Sequence, residues 1–190
     1  MEEKSNITPR DVLTFWFKET KPEQWFKKDE DFDRQLTIKF AELHEEIISD
    51  KRKVWENDAK GSLALILVLD QFSRNMFRNT PKAFKSDKFA LKIAKNAIEK
   101  EFDKKVNDEQ RQFFYLPFMH SEAIANQEKC VELFTQLAKD QGKDIESVTQ
   151  YAIEHRYIIR KFQRFPHRNE ILNRESTYAE KEFLKEHQGF

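Results

Sequence analysis

Apolar residues recur every three or four positions along most of this chain, and each run follows a helix-starting signal. After Asp29, Phe32, Leu36, Phe40, Leu43 and Ile47 form one stripe, which predicts a long helix with a single core face. After Asp144, Val148, Tyr151, Ala152, His155, Ile158 and Phe162 do the same, and Phe89, Ile93, Ala97 and Ile98 follow Ser86. Thr8-Pro9-Arg10-Asp11 reads as a helix start: Thr8 caps, Pro9 takes the first helical position and Asp11 faces the positive end of the dipole. That helix carries Val12, Leu13, Phe15, Trp16 and Phe17. A third helix, from about Asp58 to Phe72, is apolar nearly all round and belongs at the centre.

Asn107-Asp108-Glu109-Gln110 opens a helix bearing Phe113, Phe114 and Leu116 before Pro117 interrupts it. A further helix is expected from about Ser121 to Leu137, with Ile124, Val131, Leu133, Phe134 and Leu137 on it and Gly142 as its stop. Thr177 with Glu180 opens a short last helix ending near Leu184. The prediction is an all-α protein of about eight helices with no sheet, paired by short connections into antiparallel hairpins, as a bundle or a short solenoid. No exact repeat and no linker divides the 190 residues, so a single domain over 1–190 is expected, burying roughly 70% of its unfolded surface.

Composition narrows the function. Lys plus Arg and Asp plus Glu are 34 each, and no block of like charge stands out, so nucleic acid is not an expected partner. Three glycines leave no material for a phosphate-cradling loop, and no cofactor is expected; eighteen phenylalanines supply aromatic anchors instead. The longest apolar run, Leu63 to Leu69, is too short to cross a bilayer, and MEEKSNITPR lacks the order of a signal peptide. The one cysteine, Cys130, reads as a buried thiol in a reducing cytoplasm, with Lys129 its only neighbouring activator. Trp25-Phe26, taken as exposed, and the terminal Phe190 are candidates for a dimer contact, although the oligomeric state stays open.

Three polar islands interrupt this plan. In the first, Asp70, Arg74 and Arg78 fall at i, i+4 and i+8, so a continuing helix would line them on one side, either as an ion pair closing the helix end or as a carboxylate or phosphate site. In the second, Pro117 frees a carbonyl one turn back, and the kink is expected to leave polar groups open near His120, Ser121 and Glu122; His120 with Glu122 is a candidate acid–base pair, but no recognised ligand spacing exists, and no metal site is expected. The third is RFPHRNEILNRES, residues 164 to 176, preceded by His155 on the apolar side of its helix, where a histidine satisfied by a core partner is the commoner outcome. Here His167 and Glu170 sit at i and i+3 and can pair, while Arg164 and Arg168 bring about ten N–H donors that need acceptors, with Asp70, Glu122, Glu170 or a bound anion as candidates.

Together WFKKDEDFD, DQFSRNMFR, FFYLPFMHSE and RFPHRNEILNRES resemble the small, mainly bacterial domain of unknown function family 924, from about Val12 to Leu184. The resemblance implies a tetratricopeptide-like helical fold and a shared polar cluster of Asp70, Gln71, Arg74, Arg78, His120, Ser121, Glu122, His155, Arg164, His167, Arg168, Asn169 and Glu170. It implies no reaction. Against the family pattern, Ser73 replaces a proline, which is expected to loosen a turn. Met119 replaces a glutamate, and Asn173 replaces a glycine as a residue that tolerates the left-handed conformation.

The function expected from these residues is a binding module whose cluster accepts a small anionic ligand or a peptide carboxylate. Asp70, Arg74, Arg78, His120, Glu122, His155, Arg164, His167 and Arg168 are the ligand-binding candidates. The alternatives are a hydrolase using His120 or His167 as base with Glu122 or Glu170 orienting it, and an ion network that is purely structural.

Overall fold

The computed structural model describes residues 6–187 and 189. The start of MEEKSNITPR and Phe190, two sites of sequence expectations, lie outside them. Among the described residues every regular element is helical and no strand occurs, as the 3.6-residue patterning predicts. Eight helices account for the architecture, and the chain gathers into two compact units, 1–78 with 82–117 and 79–81 with 118–190.

The first unit holds α1 (9–19), α2 (Glu30–Ile48), α3 (59–76), α4 (Asp87–Glu99) and α5 (108–114). Thr8 caps α1 through a capping box with Asp11, and Asp29 caps α2 by accepting the N–H groups of Asp31 and Phe32. All five residues of the predicted α2 stripe are buried. They meet a ring assembly in which Phe15 lies edge-on to Phe40 (centroids 5.0 Å apart) and Trp16 packs on Phe72 (5.2 Å). Such contacts add roughly 0.5–1.5 kcal/mol each beyond area burial. Trp25 is not exposed: it stacks on Trp16, and its indole N–H donates to the Trp16 carbonyl at 2.9 Å, which leaves only Phe26 in solvent.

The apolar helix α3 is central as predicted, with every residue from Gly61 to Ser73 buried. It outlasts its predicted end at Phe72 because 67–72 widens into a π turn before a last α turn, Ser73–Met76. At Gly61 an added Cβ would stand 2.1 Å from the Trp55 carbonyl oxygen, so a side chain has no room there.

The second unit is built on the hairpin of α6 (Ile124–Gln141) and α7 (Ile145–Phe162), which pack on each other. Gly142, at φ 62°, closes α6 in the left-handed conformation, and Asp144 caps α7 by accepting from Ser147 N–H. Helix α6 starts at Ile124, not at Ser121. The carbonyls of Phe118, Met119 and Ser121 turn instead to the Gln127 side-chain amide, the Met119 and Ser121 contacts both at 2.6 Å. Gln127 therefore satisfies the carbonyls left over where the short helical turn Leu116–Met119 ends ahead of α6. After α7 the chain turns at Gln163 (φ 59°), forms a 3-10 turn at Pro166–Arg168 and turns again at Asn173 (φ 52°), the left-handed position that the sequence suggested. A capping box between Thr177 and Glu180 then starts α8 (Tyr178–Glu186). Ile158, Ile159 and Phe165 form a core that Phe162 and Phe183 flank.

Candidate functional site

The first island resolves into two aspartate-held arginines. Arg74 donates to both oxygens of Asp87, at 2.9 and 3.1 Å, and lies 3.2 Å from the fully buried Asp70. Burial works against the Arg74 charge, but Asp70 and then Asp87 outweigh it and hold the guanidinium above its ordinary pKa. Arg78 does not share the Asp70–Arg74 side. The π turn and the end of α3 at Met76 break the i, i+4, i+8 register, and Arg78 grips Asp33 at 2.5 and 2.8 Å, with Asn75 donating to the same carboxylate. Gln71 donates to Asp70 at 2.6 Å. Ser73 does not loosen its turn. Its N–H and hydroxyl both reach the Val68 carbonyl, and its hydroxyl also lies 3.0 Å from that of Ser86, which itself donates to Leu69.

Phe165 is the hub of the second unit. Its N–H donates to Glu122 Oε1 at 2.8 Å, and its carbonyl accepts from Arg174 Nη2 at 3.0 Å. Arg174 closes the clamp with a two-pronged grip on Glu122, at 2.8 and 3.0 Å, while its Nε donates to Asn169 and the Asn169 amide donates to Ser176. Burial would raise the Glu122 pKa, but the bonds from Arg174 and from Phe165 N–H prevail and lower it. Arg164 turns outward from this clamp to Glu180 at 2.6 and 2.8 Å and to the Glu175 carbonyl. That pairing, led by the Arg164 bonds, drops the Glu180 pKa to about 2.

Around the Phe165 ring stand the basic groups. The Arg168 guanidinium lies 4.5 Å above its centroid, His155 meets it edge-on at 5.6 Å, and His167 is tilted against it at 5.6 Å. His120, half-buried, is next, 6.4 Å from His155 ring to ring. His155 finds the core partner that the sequence suggested: its Nδ1 bonds the Tyr151 carbonyl at 2.7 Å, which requires the proton on Nδ1. Burial first, then the neighbouring His120, with smaller pressure from Arg168 and His167, lowers the His155 pKa to about 3.

The structure thus gathers His120, His155, His167, Arg168, Glu122 and Arg164 in the second unit, and Asp70, Arg74 and Arg78 in the first. The expected His167–Glu170 pair does not form, since Glu170 is exposed and the 3-10 turn replaces the α-helix that their spacing assumed. Neither Glu122 nor Glu170 bonds a histidine; Glu122 has given its oxygens to Arg174 and Phe165. The charge partners that sequence reasoning missed are Arg174, Asp33, Asp87 and Glu180. Asp33 and Asp87 lie in first helical turns, where an acid is ordinary dipole chemistry, so only the fold reveals their arginines. No group of three or more His, Cys, Asp or Glu side chains suited to a metal occurs among the described residues. Cys130 is buried, burial pushes its thiol up, and Lys129 pairs with Glu132. No helix among the described residues is long and apolar enough to cross a membrane.

Comparison with known proteins agrees with this picture of the fold. No curated protein matches the chain. A solved structure of a protein of unknown function from Agrobacterium tumefaciens, ATU0120, is similar to it with a TM-score of 0.85 and 39% identity, over 94% of this chain and 97% of that one. The family model described as "Bacterial protein of unknown function (DUF924)" matches residues 12–188. On that match, which spans nearly the whole helical array and both polar networks, the chain belongs to the DUF924 family.

Proposed function

We propose that the second unit binds a small oxyanion, a phosphate or a carboxylate, at the basic face around Phe165. One observation carries the reading: Arg168, His155 and His167 converge on a single aromatic ring, with His120 beside them. An oxyanion at such a face meets the planar Arg168 guanidinium and the imidazoles of His120 and His167, whereas neutral His155, its one ring proton donated to Tyr151, packs the site and offers no donor. The His155 pKa is depressed first by burial and only then by His120, Arg168 and His167, which add positive charge of the same sign. Arg74 and Arg78 take no part, since aspartates of their own unit fill their donors. A hydrolase would need a carboxylate orienting an imidazole, and Glu122 is engaged elsewhere. The protein's working compartment, on this reading, is the reducing cytoplasm, where a buried thiol such as Cys130 persists.

The test is thermal-shift and calorimetric titration with inorganic phosphate, acetate and a short peptide bearing a terminal carboxylate. One of these should stabilise the protein, by about 2.7 kcal/mol at a hundredfold excess over Kd. Arg168→Gln should abolish that stabilisation and preserve the helical circular-dichroism spectrum. A variant that unfolds outright, or a wild-type protein indifferent to all three probes, removes the reading. The probe that responds tells phosphate from carboxylate.

A further inference from the structure

We propose that the outer face of α4, in the first unit, docks an acidic amphipathic helix of a protein partner, independently of the basic face around Phe165. Between 82 and 100 the chain carries six lysines and two acids, spaced so that no run of like charge forms in the sequence. Folding sorts them. Ala90, Ile93, Ala94 and Ala97 turn one side of α4 into the core, where the helix packs on α3. Asp87 is drawn to Arg74. Outside remains a row of exposed lysines, Lys88, Lys92 and Lys95, continued by Lys85 in the helical turn just ahead of α4. Spacings of three and four residues keep such a row on one side of a helix. Among the described residues none of these four lysines is bonded to an acid, and Glu99 is the one acid of α4 that shares their side.

Beside the lysines runs an apolar row. Phe84, Leu91 and Ile98 are half-buried and recur every seventh residue, as Lys88 and Lys95 do. A groove of about 360 Å³ joins the two rows, with Leu91, Lys88, Lys92 and Lys95 in its walls. Seven residues make two helical turns, the period at which a second helix lies alongside and repeats its contacts. The matching occupant presents leucine-type side chains to Leu91 and Ile98, and carboxylates three or four residues apart to the lysines. A bilayer has no such period, and half-buried side chains have little to insert into one. Nucleic acid fits less well, because the row holds neither an arginine fork nor an exposed aromatic ring for a base.

The experiment is fluorescence anisotropy with the full chain and a labelled synthetic peptide in which leucines repeat at helical spacing beside a stripe of glutamates. A scrambled peptide of the same composition, vesicles containing phosphatidylserine and a DNA duplex are run in parallel. The patterned peptide should bind roughly tenfold more tightly than its scramble, and rising salt should weaken it. Lys92→Glu should weaken it roughly fivefold while the circular-dichroism spectrum stays helical, because like charges then meet. Lys18→Glu, the same charge change at an exposed position on α1, should leave binding within about twofold. No binding of the patterned peptide, equal binding of the scramble, or equal losses in the two variants removes the proposal. So does tighter binding of the vesicles or the duplex than of the peptide, which assigns the face to another occupant. If Lys92→Glu unfolds, Lys92→Gln takes its place, with a loss of about twofold expected and no loss overturning the proposal.

Discussion

The two units place charged side chains next to an aromatic core in different ways. In the first, Arg74 and Arg78 face three aspartates, Asp33, Asp70 and Asp87, so every guanidinium has a carboxylate and the acids are in excess. In the second, Arg164 and Arg174 each take one glutamate, and Arg168 with three imidazoles is then gathered around Phe165. A network with excess acid around its arginines needs no ligand to be satisfied. The same residue types grip carboxylates in one unit and, at Arg168, stack on an aromatic ring in the other, where we propose the binding face.

Stability measurements can break this contrast. The largest effect is expected for Arg74→Ala, which leaves fully buried Asp70 without its guanidinium and should cost about 3–5 kcal/mol in denaturant unfolding. A loss below about 1 kcal/mol would mean that the first network is not structural. Arg174→Ala comes next, at about 2 kcal/mol, because Glu122 is only partly buried and keeps its bond from Phe165 N–H. If this variant proves the more harmful of the two, the second unit is the one that depends on its ion network.

The smallest effect is a pH slope. The folded pKa of His155, about 3, lies below the unfolded value of about 6.5, so between these values the unfolded chain binds a proton that the folded chain refuses. Stability contributed by this residue is complete above pH 6.5 and falls with pH towards 3, at up to about 1.4 kcal/mol per pH unit. Buried His44 in the first unit, its pKa lowered chiefly by burial, adds a slope of the same sign, while Glu122 and Glu180, also lowered, add theirs only below about pH 4.5. His155→Leu should therefore flatten, without abolishing, the decline measured by urea unfolding between pH 6.5 and 5. An unchanged slope would show that His155 is not held neutral.

Much of the fold was legible because helix patterning and caps are local. The stripe Phe32 to Ile47, the capping boxes at Thr8 and Thr177, the Asp144 cap and the Gly142 stop all appear where their residue types place them. The π turns in α1 and α3 were not legible, since a single inserted residue in the hydrogen-bond ladder leaves no mark on an apolar run. Trp25 was misread for a related reason. Its burial depends on Trp16, nine residues earlier, and on Phe113, neither of which the local pattern around it announces.

The chain by itself determined that it would be helical, where most helices begin and end, and which residues carry charge at the breaks, because capping and amphipathic periodicity act within a few residues. Only tertiary structure decided who answers whom: Asp33 for Arg78, Asp87 for Arg74, Glu180 for Arg164, Arg174 for Glu122. These partners lie 13 to 52 residues apart in the chain. A salt bridge depends on distance in space, which the packing of helices sets and no local spacing encodes.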